Sequence, residues 1–360
     1  MTNNSPRGQT YDRRTILKAT GSAGAAAVGL SGLSQPGAAG DKDDEIPTAA
    51  GKKSGDCDPD ETPSAVYTGD HIDTTWYGSV HITSGNSTTN YDTIGDPLPD
   101  SPDEMVVHCH GWRNDDDCGK ERINTTAEAF AVENYEYPVT GLVWDSSYAW
   151  WNAKEIADKN GVKLANFLVD YKDDNPETTL RLQGHSLGAR VVAETIRELD
   201  RMGAYDVLTT AVFLGGAIEN HSVAVDGRYG PAIENVVQHA ENFWMEDDTV
   251  LDWAFTTYEF SRAIGNDGCD GTPPVNYTDH HIQLDDHRDH YQPNIGTVGD
   301  AIETFEEEQE GDNRPDDDES NVPDDGGGGS GGDGPGFTIP AVAAGVGGAT
   351  LLHRLRNRGE

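Results

Sequence analysis

Gly184, His185, Ser186, Leu187 and Gly188 form a Gly-x-Ser-x-Gly pentapeptide between a β-like run, Thr179 to Gln183, and a strongly helical one, Ala189 to Met202. A serine on a strained strand-to-helix turn is pushed out of the fold, where its hydroxyl attacks a substrate carbonyl once a base takes its proton. The pattern alone is weak, because the chain holds 42 Gly and Gly328 to Gly332 match it as well. That second copy lies in a glycine tract with no apolar run on either side and cannot form such a turn. Context therefore assigns the nucleophile to Ser186. A serine that only caps the following helix would explain neither Gly184 nor Gly188.

The elements around this turn alternate. Met105 to Cys109, Gly141 to Trp144, Leu180 to Gln183, Ala211 to Leu214, Asn242 to Met245 and Val275 to Leu284 read as strands. Between and after them, Asn124 to Glu133 (capped by Asn124 or Thr125), Ala153 to Tyr171, Ala189 to Met202, Ala232 to His239, Thr249 to Ala263 and Val298 to Glu307 read as helices. Strands alternating with helices of this length predict an α/β fold, a mainly parallel sheet with helices on both faces. Ligands bind such sheets outside the carboxyl ends of the strands, where Ser186 stands.

From about Val66 to Glu308 the chain resembles the α/β-hydrolase family, on the elbow at Ser186 and on His110-Gly111 directly after the first clear strand. The order Ser, acid, His is also available downstream. The resemblance implies a serine hydrolase acting on carboxylic esters, esterase- or lipase-like, with no cofactor. It places the oxyanion donors at the backbone amides of Leu187 and Trp112, with His110 and Gly111 orienting that loop. The acid falls in the run Glu246-Asp247-Asp248-Thr249-Val250, where the family's Asp-x-Val pattern selects Asp248, with Asp247 as the alternative. The base falls in His287-Arg288-Asp289-His290-Tyr291-Gln292-Pro293, which resembles a His-x-x-aromatic-aromatic-x-Pro ending and selects His287, with His290 as the alternative. His280 and His281 lie inside the last predicted strand. Tyr148, Trp150 and Trp151 follow the strand at Gly141 and are candidates for an apolar wall against the substrate. About 27 residues separate Leu214 from Asn242, too few for a large cap domain, so an open, shallow site is expected.

Two metal-binding alternatives compete with this reading. His108-x-His110 resembles metallo-β-lactamase ligands but lacks the Asp-His pair that should follow. Asp279, His280, Asp286, His287 and His290 could gather around zinc or calcium, although their spacing is irregular. No metal is expected. The alternative of another class is a catalytically silent α/β-hydrolase scaffold that binds at the cell surface.

Composition narrows the partners. With 64 Asp plus Glu against 25 Lys plus Arg, the formal net charge is −39. A polyanion would be repelled, so nucleic acid is excluded, and the expected partner is a small ester or lipid substrate. A folded domain this acidic suits concentrated salt, which screens self-repulsion, and the composition resembles that of proteins from halophilic archaea.

Both ends resemble addressing segments. Arg13-Arg14, then Ile16-Leu17, Lys18 and a mild apolar stretch resemble a twin-arginine export signal, taken as residues 1–40. A polar segment, 41–65, precedes the catalytic domain, 66–308. An acidic and glycine-rich linker, 309–334, leads to Pro335-Gly336-Phe337, an apolar run and a basic tip over 335–360. That order resembles the sorting tail cleaved by archaeosortases; the alternative is a retained anchor, the only membrane contact expected. Either way the domain would be exported and held at the cell surface. Four Cys in an exported chain favour disulfides, and local spacing suggests Cys109 with Cys118 and Cys57 with Cys269.

Overall fold

The computed structural model describes residues 57–69, 72–74, 80–82 and 91–312. The signal-like start, most of the polar segment and nearly all of the linker and tail lie outside them. Among the described residues no helix is long and apolar enough to cross a membrane.

The strands are β1 (Ala65–Tyr67), β2 (Ile72–Thr74), β3 (Val80–Ile82), β4 (Asp92–Ile94), β5 (Glu104–Cys109), β6 (Val139–Val143), β7 (Thr179–His185), β8 (Thr210–Leu214), β9 (His239–Trp244) and β10 (Tyr277–His281). The helices are α1 (Asp116–Val132), α2 (Trp150–Asp174), α3 (Leu187–Met202), α4 (Gly230–Val236), α5 (Thr249–Ala254), α6 (Ile264–Asp267) and α7 (Val298–Asp312). Eight strands form one sheet in the order β4-β1-β6-β5-β7-β8-β9-β10. All neighbours in it are parallel except the edge pair β1 and β4. β2 and β3 form a separate antiparallel pair.

Side-chain alternation along the buried strands decides which helix goes where. Met105, Val107 and Cys109 of β5 face one core, with Leu164 and Phe167 of α2 and Val192 and Ile196 of α3. Val106 faces the other, with Ala129 and Phe130 of α1 and Ala301 and Phe305 of α7. Each face is thus covered by helices, and among the described residues no separate cap domain rises from the sheet. This is the α/β-hydrolase architecture.

The topology fixes where a ligand binds. The chain runs from β5 outward to β6, then crosses back over β5 to β7 and continues the other way, so direction reverses between β5 and β7. A reversal of this kind opens a crevice at the carboxyl ends of the two strands. Cys109 of β5 is in register with Gly184 of β7, so His110-Gly111 and His185-Ser186 leave the sheet side by side.

Three expectations need correction. First, α1 begins eight residues before Asn124: Asp115 caps it, its side chain accepting from the Cys118 amide at 3.0 Å. The first turns carry Asp, Lys, Glu and Arg, so no apolar period marks them in the sequence. Secondly, the helix expected over Thr249 to Ala263 stops at Ala254 and passes into a π-turn, Phe255–Glu259, closed by Phe260 in the left-handed region (φ 57°). Thirdly, the disulfide joins Cys57 to Cys118, while Cys109 and Cys269 are free. Cys109 points to the α2/α3 face of β5 while α1 packs on the other, so the sheet lies between Cys109 and Cys118. The bond closes a loop of 61 residues, a constraint worth about 4 kcal/mol in the chain-entropy account, and it anchors α1 just after the His-Gly loop.

Candidate active site

Ser186 stands between the last residue of β7 and the first of α3 with φ 55° and ψ −122°, a conformation that costs a residue with a side chain about 1–3 kcal/mol. The surrounding backbone holds it there. Its amide donates to Leu214 O at 3.0 Å, and its carbonyl accepts from Ala217 N at 2.9 Å and Ala189 N at 3.1 Å. The two flanking glycines are where backbones touch: a Cβ on Gly188 would run into the Cys109 carbonyl, and one on Gly184 would lie 2.6 Å from Gly188 itself. α3 is kept in place by Leu187, Ala189, Val192, Ile196 and Leu199, all buried, and ends at Gly203 in the left-handed conformation.

Asp248 is fully buried at the N-cap of α5. Its Oδ1 accepts from the Val250 and Leu251 amides at 3.1 and 3.0 Å, which leaves Oδ2 for His287 Nδ1, 2.5 Å away. Burial pushes the Asp248 carboxyl up, but the nearby His287 charge, its hydrogen bond and the Leu251 amide together bring it below the usual carboxylate range. An ionised Asp248 accepting from Nδ1–H leaves the His287 Nε2 lone pair free to take a proton. That Nε2 is buried and has no hydrogen-bond partner among the described residues, so no Ser186–His287 hydrogen bond is formed. Such bonds are commonly long without substrate and tighten when it binds.

His287 opens a short 3-10 turn, His287–Tyr291, capped by Asp286, whose Oδ1 accepts from Arg288 N at 2.9 Å. From the other side the His185 ring, inside the pentapeptide, reaches the His287 carbonyl through Nε2 at 2.9 Å. Burial, then the neighbouring His287 and His290, hold His185 well below the usual histidine range, so it is a neutral donor that ties the elbow to the His287 turn.

The loop after β5 is braced equally firmly. The Gly111 carbonyl accepts from Ser146 Oγ and Asn114 Nδ2, each at 2.8 Å, and from His110 Nδ1 at 3.1 Å. In a trans peptide the following N–H points the opposite way, so the Trp112 amide faces away from these three donors. The Trp144 amide donates to His110 Nε2 at 3.3 Å, which puts the His110 proton on Nδ1. Burial lowers its pKa to about 4. His110 is therefore a neutral brace, with Gly111 packed directly against the Ser186 side chain.

Ser186, His185, His287, His110, Gly111 and Trp112 border one cavity of about 20 Å³. The site is not open: Ser186 is 7% exposed and His287 4%. The bordering side chains come from the loop after β5, from Arg122 of α1 and from the His287–Tyr291 turn, and Trp253 of α5 stacks on Trp112 at 6.4 Å between ring centroids.

The alternatives fall elsewhere. Asp247 is exposed. His290 is buried behind His287, with Nδ1 near Thr297 Oγ1, and does not border the cavity. None of Tyr148, Trp150 and Trp151 borders it either. The Tyr148 carbonyl accepts from Trp112 Nε1, Trp150 packs inside on Trp112, and Trp151 is 55% exposed under Lys154. The five-residue metal cluster is dispersed, with His280 bonded to Glu241 at 2.6 Å and Asp279 holding Asn242 and the Cys269 amide. No metal-competent group of His, Cys, Asp and Glu occurs among the described residues. Sequence reasoning missed Asn114, Ser146 and Arg122, considered His108 only as a metal ligand, and quoted Arg288 and Tyr291 only as members of the His287 run; all six brace the loop or border the cavity.

A family model described as a protein of unknown function (DUF726) matches residues 123–285, which takes in Ser186 and Asp248 and stops short of His287. No curated protein matches the chain. Among solved structures it is similar to a lipase-esterase related protein from Clostridium acetobutylicum, at 10% identity over 57% of this chain and 96% of that one, with a TM-score of 0.33. Est1E from Butyrivibrio proteoclasticus gives 14%, 59%, 90% and 0.36 in the same order. An esterase from Pyrococcus furiosus gives 14%, 58%, 82% and 0.33. Values this low carry no inference about substrate.

Proposed function

We propose that the protein is a serine hydrolase of carboxylic esters with Ser186 as nucleophile, His287 as base and Asp248 as the acid that orients it. The observation that carries this reading is the buried Asp248–His287 bond, which leaves Nε2 unspent beside a strained serine in the same cavity. Ser186 Oγ forms a bond to the ester carbonyl carbon while its proton passes to His287 Nε2, and the oxyanion is received by the Leu187 and Trp112 amides. The carbon–oxygen bond to the alcohol breaks, the alkoxide takes the proton from His287, and an acyl-enzyme remains. Water then gives a proton to His287 and attacks the acyl carbon. Ser186 regains the proton and the acid leaves.

The twin-arginine-like start and the Pro-Gly-Phe tail support the further reading that this chemistry takes place outside the cell, on a tethered domain. Hydrolysis of a short nitrophenyl ester in molar salt tests the reaction. The intact protein turns it over, and Ser186→Ala removes turnover while leaving the far-UV circular dichroism unchanged. Turnover retained by a folded Ser186→Ala protein would reject the assignment.

A further inference from the structure

The charge of the cavity is opposite to that of the chain. In a protein with 64 Asp plus Glu against 25 Lys plus Arg, the residues bordering the cavity at Ser186 include Arg122 and Arg288 and no carboxylate. Arg122 is 7% exposed, on the inner face of α1. Its Nε–H donates to Asn114 Oδ1 at 3.3 Å and its Nη1–H to Glu121 Oε1 at 3.4 Å, while Nη2 is buried without a partner among the described residues. A guanidinium stays charged in proteins, and a buried donor left unpaired is costly, so this nitrogen calls for an acceptor.

A second orphan borders the same cavity. His108 Nδ1 takes the Gln183 Nε2–H at 3.2 Å, which puts the ring proton on Nε2, and that Nε2 is also buried and unpartnered. Burial, then the neighbouring His110, keeps His108 neutral by lowering its pKa to about 3. Two residues that each hold an unpartnered buried donor nitrogen therefore border a space of about 20 Å³, roughly the room of one water or one small polar group. A long alkyl chain fits neither the volume nor the donors.

Building on the ester-hydrolase reading above, we propose that the substrate carries a short acyl group whose terminal carboxylate is received in this cavity, a malonate half-ester being the simplest case. Arg122 Nη2–H is its principal donor and His108 Nε2–H the second, while Arg288 at the edge is paired through Nε with Asp286 Oδ1 at 3.2 Å. The surrounding acidic surface makes this small cationic recess a selective feature, since buried charges are screened far less by salt than exposed ones.

The test compares kcat/KM of the full-length protein for ethyl hydrogen malonate and for ethyl acetoacetate, which is close in size but uncharged. The intact protein prefers the half-ester by about tenfold or more, Arg122→Met brings the ratio to about one, and Arg122→Lys retains part of it. A ratio of one or less in the unmutated protein overturns the proposal without recourse to any variant. An Arg122→Met protein that loses both activities by the same factor, keeping the ratio, overturns it too and makes Arg122 a structural residue. If neither ester is hydrolysed and a fluorophosphonate also leaves Ser186 unlabelled, the hydrolase reading has failed and this inference falls with it. A labelled Ser186 with no preference overturns this inference alone.

Discussion

Asp248→Asn lowers kcat for an ester substrate by about 10⁴-fold, whereas Asp247→Asn leaves it within about twofold. The difference follows from how Asp248 is held. Its Oδ1 accepts from the Val250 and Leu251 amides at the start of α5, a place only an oxygen can fill. An amide substituted there keeps its oxygen on those two donors and turns its NH₂ toward His287 Nδ1. Nδ1 must then accept, the ring proton moves to Nε2, and His287 can no longer receive the Ser186 proton. Asp247, one residue earlier, is exposed and makes no such contact. Both variants are compared at saturating substrate with the fold checked by circular dichroism. Equal activities would separate Asp248 from catalysis.

The second large effect is on stability in mild acid. Between about pH 7.5 and about pH 5.5 the fold loses roughly 4 kcal/mol, a large part of an ordinary domain's total. His108, His110 and His290 are each buried, and desolvation lowers their pKa values to about 3, about 4 and about 3. In the unfolded chain each returns to about 6.5. As pH falls through 6.5 the unfolded state binds these protons and the native state does not, so unfolding becomes easier until the native values near 3 to 4 are reached. His185, lowered for the same reason, adds to the loss. Exposed carboxylates are still ionised across this window, so their titration does not mask it. Urea midpoints at the two pH values in the same salt measure the effect. Coincident midpoints would mean that these rings are not held neutral in the native state.

Much of the frame was legible in the sequence because apolar runs of strand and helix length alternate through the middle of the chain. The short strands β1 and β4 were not, since three residues carry no period. The start of α1 was hidden because its buried positions there are Cys118, Gly119 and Arg122, which no hydrophobic pattern marks. The disulfide needed knowledge of which face of β5 Cys109 occupies, and loop spacing does not carry that. At the site, the turn that carries Ser186 was readable because strand, turn and helix are contiguous, and the Asp248–His287 contact because each of the two follows a strand in chain order. Asn114, Ser146 and Arg122 were not, because polar residues in loops and on a helix reach the site only through tertiary contacts. The expectation of an open site failed for a related reason. Loop length after β8 argued against a large cap, but the narrowness of the site comes from side chains of the loop after β5, of α1 and of the His287–Tyr291 turn.

Ser186 as the proposed nucleophile is tested most directly by mapping a fluorophosphonate adduct on the folded, full-length protein in molar salt. The account predicts one phosphonylated residue, Ser186, with labelling lost in His287→Ala and retained in Asp247→Asn. Labelling absent from Ser186, or equally fast without His287, would contradict it.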